Sequence, residues 1–277
     1  LNTTELHPAD AAISVLEAAT PDAKFAAARE ALATLNHGDA DQPPARSRPP
    51  HRPARPARPE LTPPGKVPRR RLGSAEGRIA LLHAVAHIEF NAIDLAFDMA
   101  ARFHKDIAEA GLDGNAFLAD WIRIGEEEAR HFGLISDRLS GYGAAYGDLP
   151  AHDGLWEAAE ATSQNVAARL AVAPMILEAR GLDVTPGMIE RLTSAGDTKS
   201  AAILKIIYED EIGHVACGKH WFHALCKAHG WAPAATFRTL RTQYFAGVMK
   251  PPFNHEARSA AGMDRDYYED AADTGPN

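Results

Sequence analysis

The sequence predicts an all-α protein: a four-helix bundle with a long crossover, a helical hairpin before it and one extra helix after it. Three observations lead there. Apolar residues recur three and four apart over long stretches, the spacing of one helix face. Start and stop residues bracket those stretches. And acids stand inside the apolar stripes in a fixed order: Glu89, then Glu128 with His131, then Glu178, then Glu211 with His214.

Residues 8 to 36 read as two short helices, with Leu16 and Ala19, then Phe25, Ala28, Leu32 and Leu35, at helical spacing. Pro21 follows Thr20 as a first-turn proline follows its cap. Residues 41 to 71 change character. Ten of the 19 prolines lie here, interleaved with Arg46, Arg48, Arg52, Arg55, Arg58, Arg69, Arg70 and Arg71. Proline at this density blocks helix and favours extended polyproline II. The segment is either a semi-rigid surface strap or a basic arm for RNA; with no aromatic residue it offers bases no stacking platform.

The first bundle helix spans about Ser74 to Ala110, with Gly111 as its stop. Leu82, Val85, Glu89, Ile93, Ala96 and Ala100 line one face. His83 and His87 lie off the Glu89 line and read as packing or supporting residues. The second helix spans about Asn115 to Leu139, with Leu118, Trp121, Gly125, Glu128, Phe132, Ile135 and Leu139 as its seam. Gly125, one turn before Glu128, is expected to leave space near the site. A long connection over 140–155 leads to a third helix ending at Gly181, with Ala171, Pro174, Met175, Glu178 and Leu182 on one face. Pro174 inside it frees the carbonyl of Leu170 and predicts a kink.

Glu128 lies about 18 Å from the end of its helix, whereas Glu178 lies about 36 Å from a start near Gly154. A plain hairpin would leave the two at different heights. Either a crossover returns the chain to the other end of the bundle, or the third helix is broken near Thr162. Thr185-Pro186 reads as the cap of a short helix. The fourth bundle helix spans about Asp197 to His229, with Leu204, Ile207, Glu211, His214, Gly218 and Trp221 facing inward. A segment over 233–249 follows, then a polar tail expected to wrap the surface. The domains expected are thus 1–40, 41–72, 73–230 and 231–277.

A Glu and a His three apart share a helix face, so each Glu-x-x-His pair aims a carboxylate and an imidazole at one point. Two lone Glu and two Glu-x-x-His on four helices is the ligand set described for di-iron and di-manganese carboxylate bundles. An apolar stripe will not hold an unpaired carboxylate, and carboxylate with imidazole suits iron or manganese where thiolates are lacking. The expected cofactor is two iron ions, Fe/Fe or Mn/Fe, held by Glu89, Glu128, His131, Glu178, Glu211 and His214.

At these residues the chain resembles the ferritin-like superfamily over about Ser74 to Gly230, and more closely the bacterial ferritin-like family DUF455. The resemblance rests on His87-Ile88-Glu89, Glu127-Glu128-Ala129-Arg130-His131-Phe132, Pro150-Ala151-His152-Asp153-Gly154-Leu155-Trp156, Glu178-Ala179-Arg180-Gly181-Leu182-Asp183 and Asp210-Glu211-Ile212-Gly213-His214-Val215. It implies a di-metal bundle with the same six ligands, and it implies no substrate.

Three functions compete on this reading. One is a di-iron oxidoreductase using O2 on a small molecule or an RNA base, with an electron donor. The second is an iron- or peroxide-handling protein, and the third a non-catalytic partner-binding bundle. The net charge of -8 argues against nucleic-acid binding by the protein as a whole. No apolar run approaches the roughly 18–20 residues of a membrane span, and no secretory pattern opens the chain. Cys217 and Cys226 are nine residues apart, too far for a CxxC pair, and fit a reducing cytoplasm. The expected localisation is therefore cytoplasmic, and a dimer is the oligomer considered.

Overall fold

A computed structural model describes residues 6–37, 44–46, 48–63 and 72–269. Among these residues the regular elements are helices: α1 (Pro8–Glu17), α2 (Pro21–His37), α3 (Ala75–Glu109), α4 (Gly114–Ser140), α5 (Gly154–Ala161), α6 (Val166–Val172), a π-helical stretch (Ala173–Glu178), α7 (Ala179–Ser194), α8 (Thr198–His229), α9 (Pro233–Tyr244) and α10 (His255–Ala260), then a 3-10 turn at Arg265–Tyr267. The chain forms two compact units, Leu1–Ala108 with Asp113–Trp156, and Glu109–Leu112 with Glu157–Asn277. The expected 73–230 segment is therefore shared between them.

In the first unit, caps set the helix limits. Asp113 accepts a bond from the Ala116 N–H and starts α4, and Gly111 ends α3 at φ 78. One window of α3 reaches a mean hydropathy of 1.3, enough by composition for a membrane span, although the sequence shows no unbroken apolar run. Since 72% of that window is buried inside the protein, α3 is a core helix. The α1–α2 hairpin packs Phe25 edge-on against Phe132 of α4 at 5.4 Å. Phe132 in turn meets Phe90 of α3 at 5.3 Å and Tyr146 at 5.0 Å. Gly125 leaves no open space: a Cβ there would stand 2.6 Å from the Phe97 ring, so the glycine serves close α3–α4 packing.

The described part of the proline–arginine segment is bonded into this unit. The Asp10 carboxylate accepts from the N–H groups of Ala45 and Arg46, and Ala54 N–H donates to the Leu16 carbonyl. Arg55 reaches Asn91 at 2.6 Å and Asp94 at 3.2 Å, and Arg52 pairs with Asp153. A single parallel bridge joins Leu61 to Ala151. Arg69, Arg70 and Arg71 lie outside the described residues.

His83 and His87 hold the connection after α4. His83 Nε2 accepts from the Gly147 N–H at 2.9 Å and the Leu149 N–H at 3.4 Å. His87, with its proton on Nε2, donates to the His152 carbonyl at 2.9 Å and accepts from the Tyr146 hydroxyl at 3.0 Å. Burial holds His83 below the ordinary histidine range, against a smaller pull from Asp148. The folded protein therefore binds fewer protons at His83 than the unfolded chain, and that contribution to stability, complete above pH 6.5, is lost as pH falls. The stability gap between the wild type and His83→Gln should narrow between pH 7.5 and pH 5 in urea titrations; a constant gap would contradict this role.

In the second unit the third helix answers the expectation at three places. It is broken near Thr162, one of the two alternatives. Buried Arg169 donates to Thr162 Oγ1 at 2.8 Å and the Ala159 carbonyl at 2.6 Å, fastening the end of α5, and Asn165 caps α6. At Pro174, where a kink was expected, the helix widens into the π-helical stretch, which absorbs a lost i→i−4 bond. The helix then runs through Gly181 and Pro186 to Ser194, so Thr185-Pro186 is not a helix start. The Leu182 carbonyl, four residues before Pro186, accepts instead from Asn254 Nδ2 at 3.1 Å.

Gly218 of α8 lies under the Pro174 ring; a Cβ there would come within 2.3 Å of Pro174 Cγ. Gly218→Ala should cost about 1–3 kcal/mol, read as a lower denaturation midpoint. An unchanged midpoint would mean the π-helical stretch yields freely.

The C-terminal segment is not a surface wrapping, because Ala257, Ala261, Met263, Tyr267 and Tyr268 are buried. Its anchor is a two-bond contact from Arg258 to Asp183, at 2.8 and 2.7 Å, with both side chains shut off from solvent. The sequence residues 270–277 lie outside the described residues.

Candidate metal centre

In the first unit, α3 delivers Glu89 from the middle of its apolar face, and one turn of α4 delivers Glu128 and His131. All three are buried, at 4%, 0% and 0% exposure. Each offers a ligand atom, and these atoms lie within 4.8 Å of one another. His131 Nδ1 is 3.3 Å from Glu128 Oε2 and 3.3 Å from Glu89 Oε2. Two donors each about 2.1 Å from one ion, at angles between square and tetrahedral, stand about 3.0–3.4 Å apart. The spacing is thus that of ligands sharing an ion. Burial alone would keep the His131 ring neutral, but its bonds to Glu128 and Glu89 outweigh that and push its pKa up to about 11. A proton between two buried carboxylates is the smallest cation this cluster can hold, and its donor set fits a larger one.

The second unit carries the other three expected ligands. On α8, His214 Nδ1 lies 3.7 Å from Glu211 Oε1; His214 is buried and Glu211 half-buried. Glu178, also half-buried, is the last residue of the π-helical stretch. It follows Val166, the start of α6, by 12 residues, and Glu128 precedes the end of α4 at Ser140 by 12 as well.

Other buried residues of the same unit make contacts of their own. Phe90 and Phe132 adjoin Glu89 and His131 in sequence and form the aromatic wall described above, with Tyr146 from the connection. One turn beyond Phe90, Asp94 pairs with Lys24 at 2.6 Å, both without solvent exposure. Lys24 sits in α2, a helix that showed no chemistry in the sequence; a lysine among the apolar positions of a short helix was the available signal. Neither cysteine is in a disulfide, and burial pushes the Cys226 thiol up to about 11.

The fold and cluster define an all-α protein with a buried glutamate–histidine group compatible with a metal ion. A family model described as "Protein of unknown function (DUF455)" matches residues 17–269, and the chain belongs to that family. It is 45% identical over 208 residues, 75% of this chain and 72% of the relative, to a Haemophilus influenzae protein described as an uncharacterized protein. No solved structure matches the chain.

Proposed function

We propose that the protein is a di-iron carboxylate oxidoreductase that activates O2 on a small organic substrate, as hydroxylase or oxidase. Glu89, Glu128, His131, Glu178, Glu211 and His214 are the proposed ligands of two iron ions, with Mn/Fe as the variant pair. The observation that carries this is the 3.3 Å approach of two buried carboxylates to one imidazole nitrogen. Glu128 and Glu178 each stand 12 residues from a helix end, Ser140 and Val166.

When bound, a pair of reduced irons supplies electrons to O2 together. The protein's part is positional. Four carboxylates offset the charge of two divalent ions, and two histidines give each ion one neutral donor. Glu89, Glu128 and His131 are themselves buried, so bulk water is kept from the first cluster. Arg55 is committed to the buried Asp94 and Arg52 is paired with Asp153, which favours a small molecule over an RNA base as substrate. Two cysteines outside any disulfide fit a reducing, cytoplasmic setting.

Anaerobic protein loaded with ferrous iron and mixed with O2 should show a transient optical change with turnover of about two irons per chain. Progressive accumulation of ferric iron beyond the six-ligand capacity would favour iron handling instead. Loaded protein that stays silent towards O2 would contradict the oxidoreductase reading.

A further inference from the structure

A recess of about 1110 Å³ lies in the second unit, against the last turns of α8. Its floor is α8 itself, through Ala216, Lys219, His223 and Lys227. Its walls are three turns: Gly111 after α3, Trp231 and Pro233 between α8 and α9, and Ala260 to Gly262 after α10. Small residues on both sides keep it open.

The recess is set apart from the metal ligands. His223 follows His214 by nine residues, which turns an α-helix by about 180°. Lys219, His223 and Lys227, spaced by four, therefore line the face of α8 away from His214, and the cavity is not the entrance to that site.

Its charge is one-sided. Lys219, His220, His223 and Lys227 line it and no acid does, in a chain of net charge -8. Neither lysine forms an ion pair among the described residues. Asp264 acts on His223 from outside the lining, and His223 is already bonded to the Tyr267 hydroxyl, so the lysines are the groups left to meet a ligand. Helix α9 begins at the recess with Pro233 and no side-chain cap, which adds the partial positive end of a 12-residue helix. Trp231 is 44% exposed and is backed by the His229 ring, stacked at 4.4 Å and 16°. A backed indole at the rim of a cationic cavity suits a flat aromatic group.

We infer that this recess binds a nucleotide, its phosphates taken by Lys219 and Lys227 and its base lying on Trp231. The site is independent of the metal reading. Organic phosphate recognition by paired lysines is electrostatic and salt-sensitive, and stacking on an indole tolerates different bases.

The test is isothermal titration of the full chain with ADP, GDP, CDP and UDP, alongside adenosine and inorganic phosphate. At least one nucleoside diphosphate should bind more tightly than either fragment, with fluorescence of exposed Trp231 responding. Lys219→Gln and Lys227→Gln should each weaken binding about tenfold, and Trp231→Leu should remove the fluorescence response. Because Lys227 is exposed, its variant keeps the test sound if Lys219→Gln fails to fold. No binding by any of the four at millimolar concentration overturns the inference, as does phosphate binding as tightly as the nucleotides. Nucleotide binding unaffected by both lysine changes overturns it too.

Discussion

Alanine at position 94 is expected to lower the unfolding free energy by about 3–5 kcal/mol. Asp94 and Lys24 face each other at 2.6 Å with no solvent exposure on either side. Lys24 Nζ has a further acceptor in the Val15 carbonyl at 3.0 Å, and Arg55 approaches Asp94 from the strap at 3.2 Å. Burial pushes the Asp94 carboxyl up, while Lys24 and Arg55 pull against it. Removing the carboxylate strands an ammonium ion in the core with one carbonyl for company. It also removes one of the strap's contacts with α3, the Arg55–Asp94 pair. The double change Lys24→Met with Asp94→Leu should recover much of the loss, because a well-packed apolar pair replaces an ion pair at little net cost. Urea denaturation at neutral pH of the wild type, the single variant and the double variant measures this. A single variant as stable as the wild type would mean water reaches Lys24.

Glu128→Ala is expected to strip the protein of bound metal, from about two ions per chain to well under one. Glu128 is fully buried and its carboxylate stands 3.3 Å from the nitrogen of His131. Its loss removes one donor and half of the negative charge that draws a cation to Glu89 and His131. Glu126, two residues earlier and on a different face of α4, is the matched control: Glu126→Ala should leave metal content unchanged. Equal metal content in both variants would place the ions elsewhere.

The long helices and the three clustered ligands were legible because their signals are local. Ser74 and Gly111 bound α3, and Glu128 with His131 needs only one helical turn. What escaped depends on partners distant in the chain. The carbonyl freed by Pro186 is taken by Asn254, and the buried C-terminal segment hangs on Asp183 and Arg258. A proline within a periodic pattern reads as a helix end when its replacement donor lies some 70 residues on. Gly125 misled for a related reason: a glycine in a seam signals either space or close approach, and only the position of Phe97 decides. Asp94 was passed over because a buried acid identifies itself only with its counter-ion, and Lys24 comes from another helix.

Elemental analysis of the protein purified without added metal tests the central claim most directly. Two equivalents of iron per chain, or one of manganese and one of iron, are expected, and both should vanish in His131→Ala. A folded protein that is metal-free and takes up no ferrous iron would contradict it, as would a stoichiometric load of zinc.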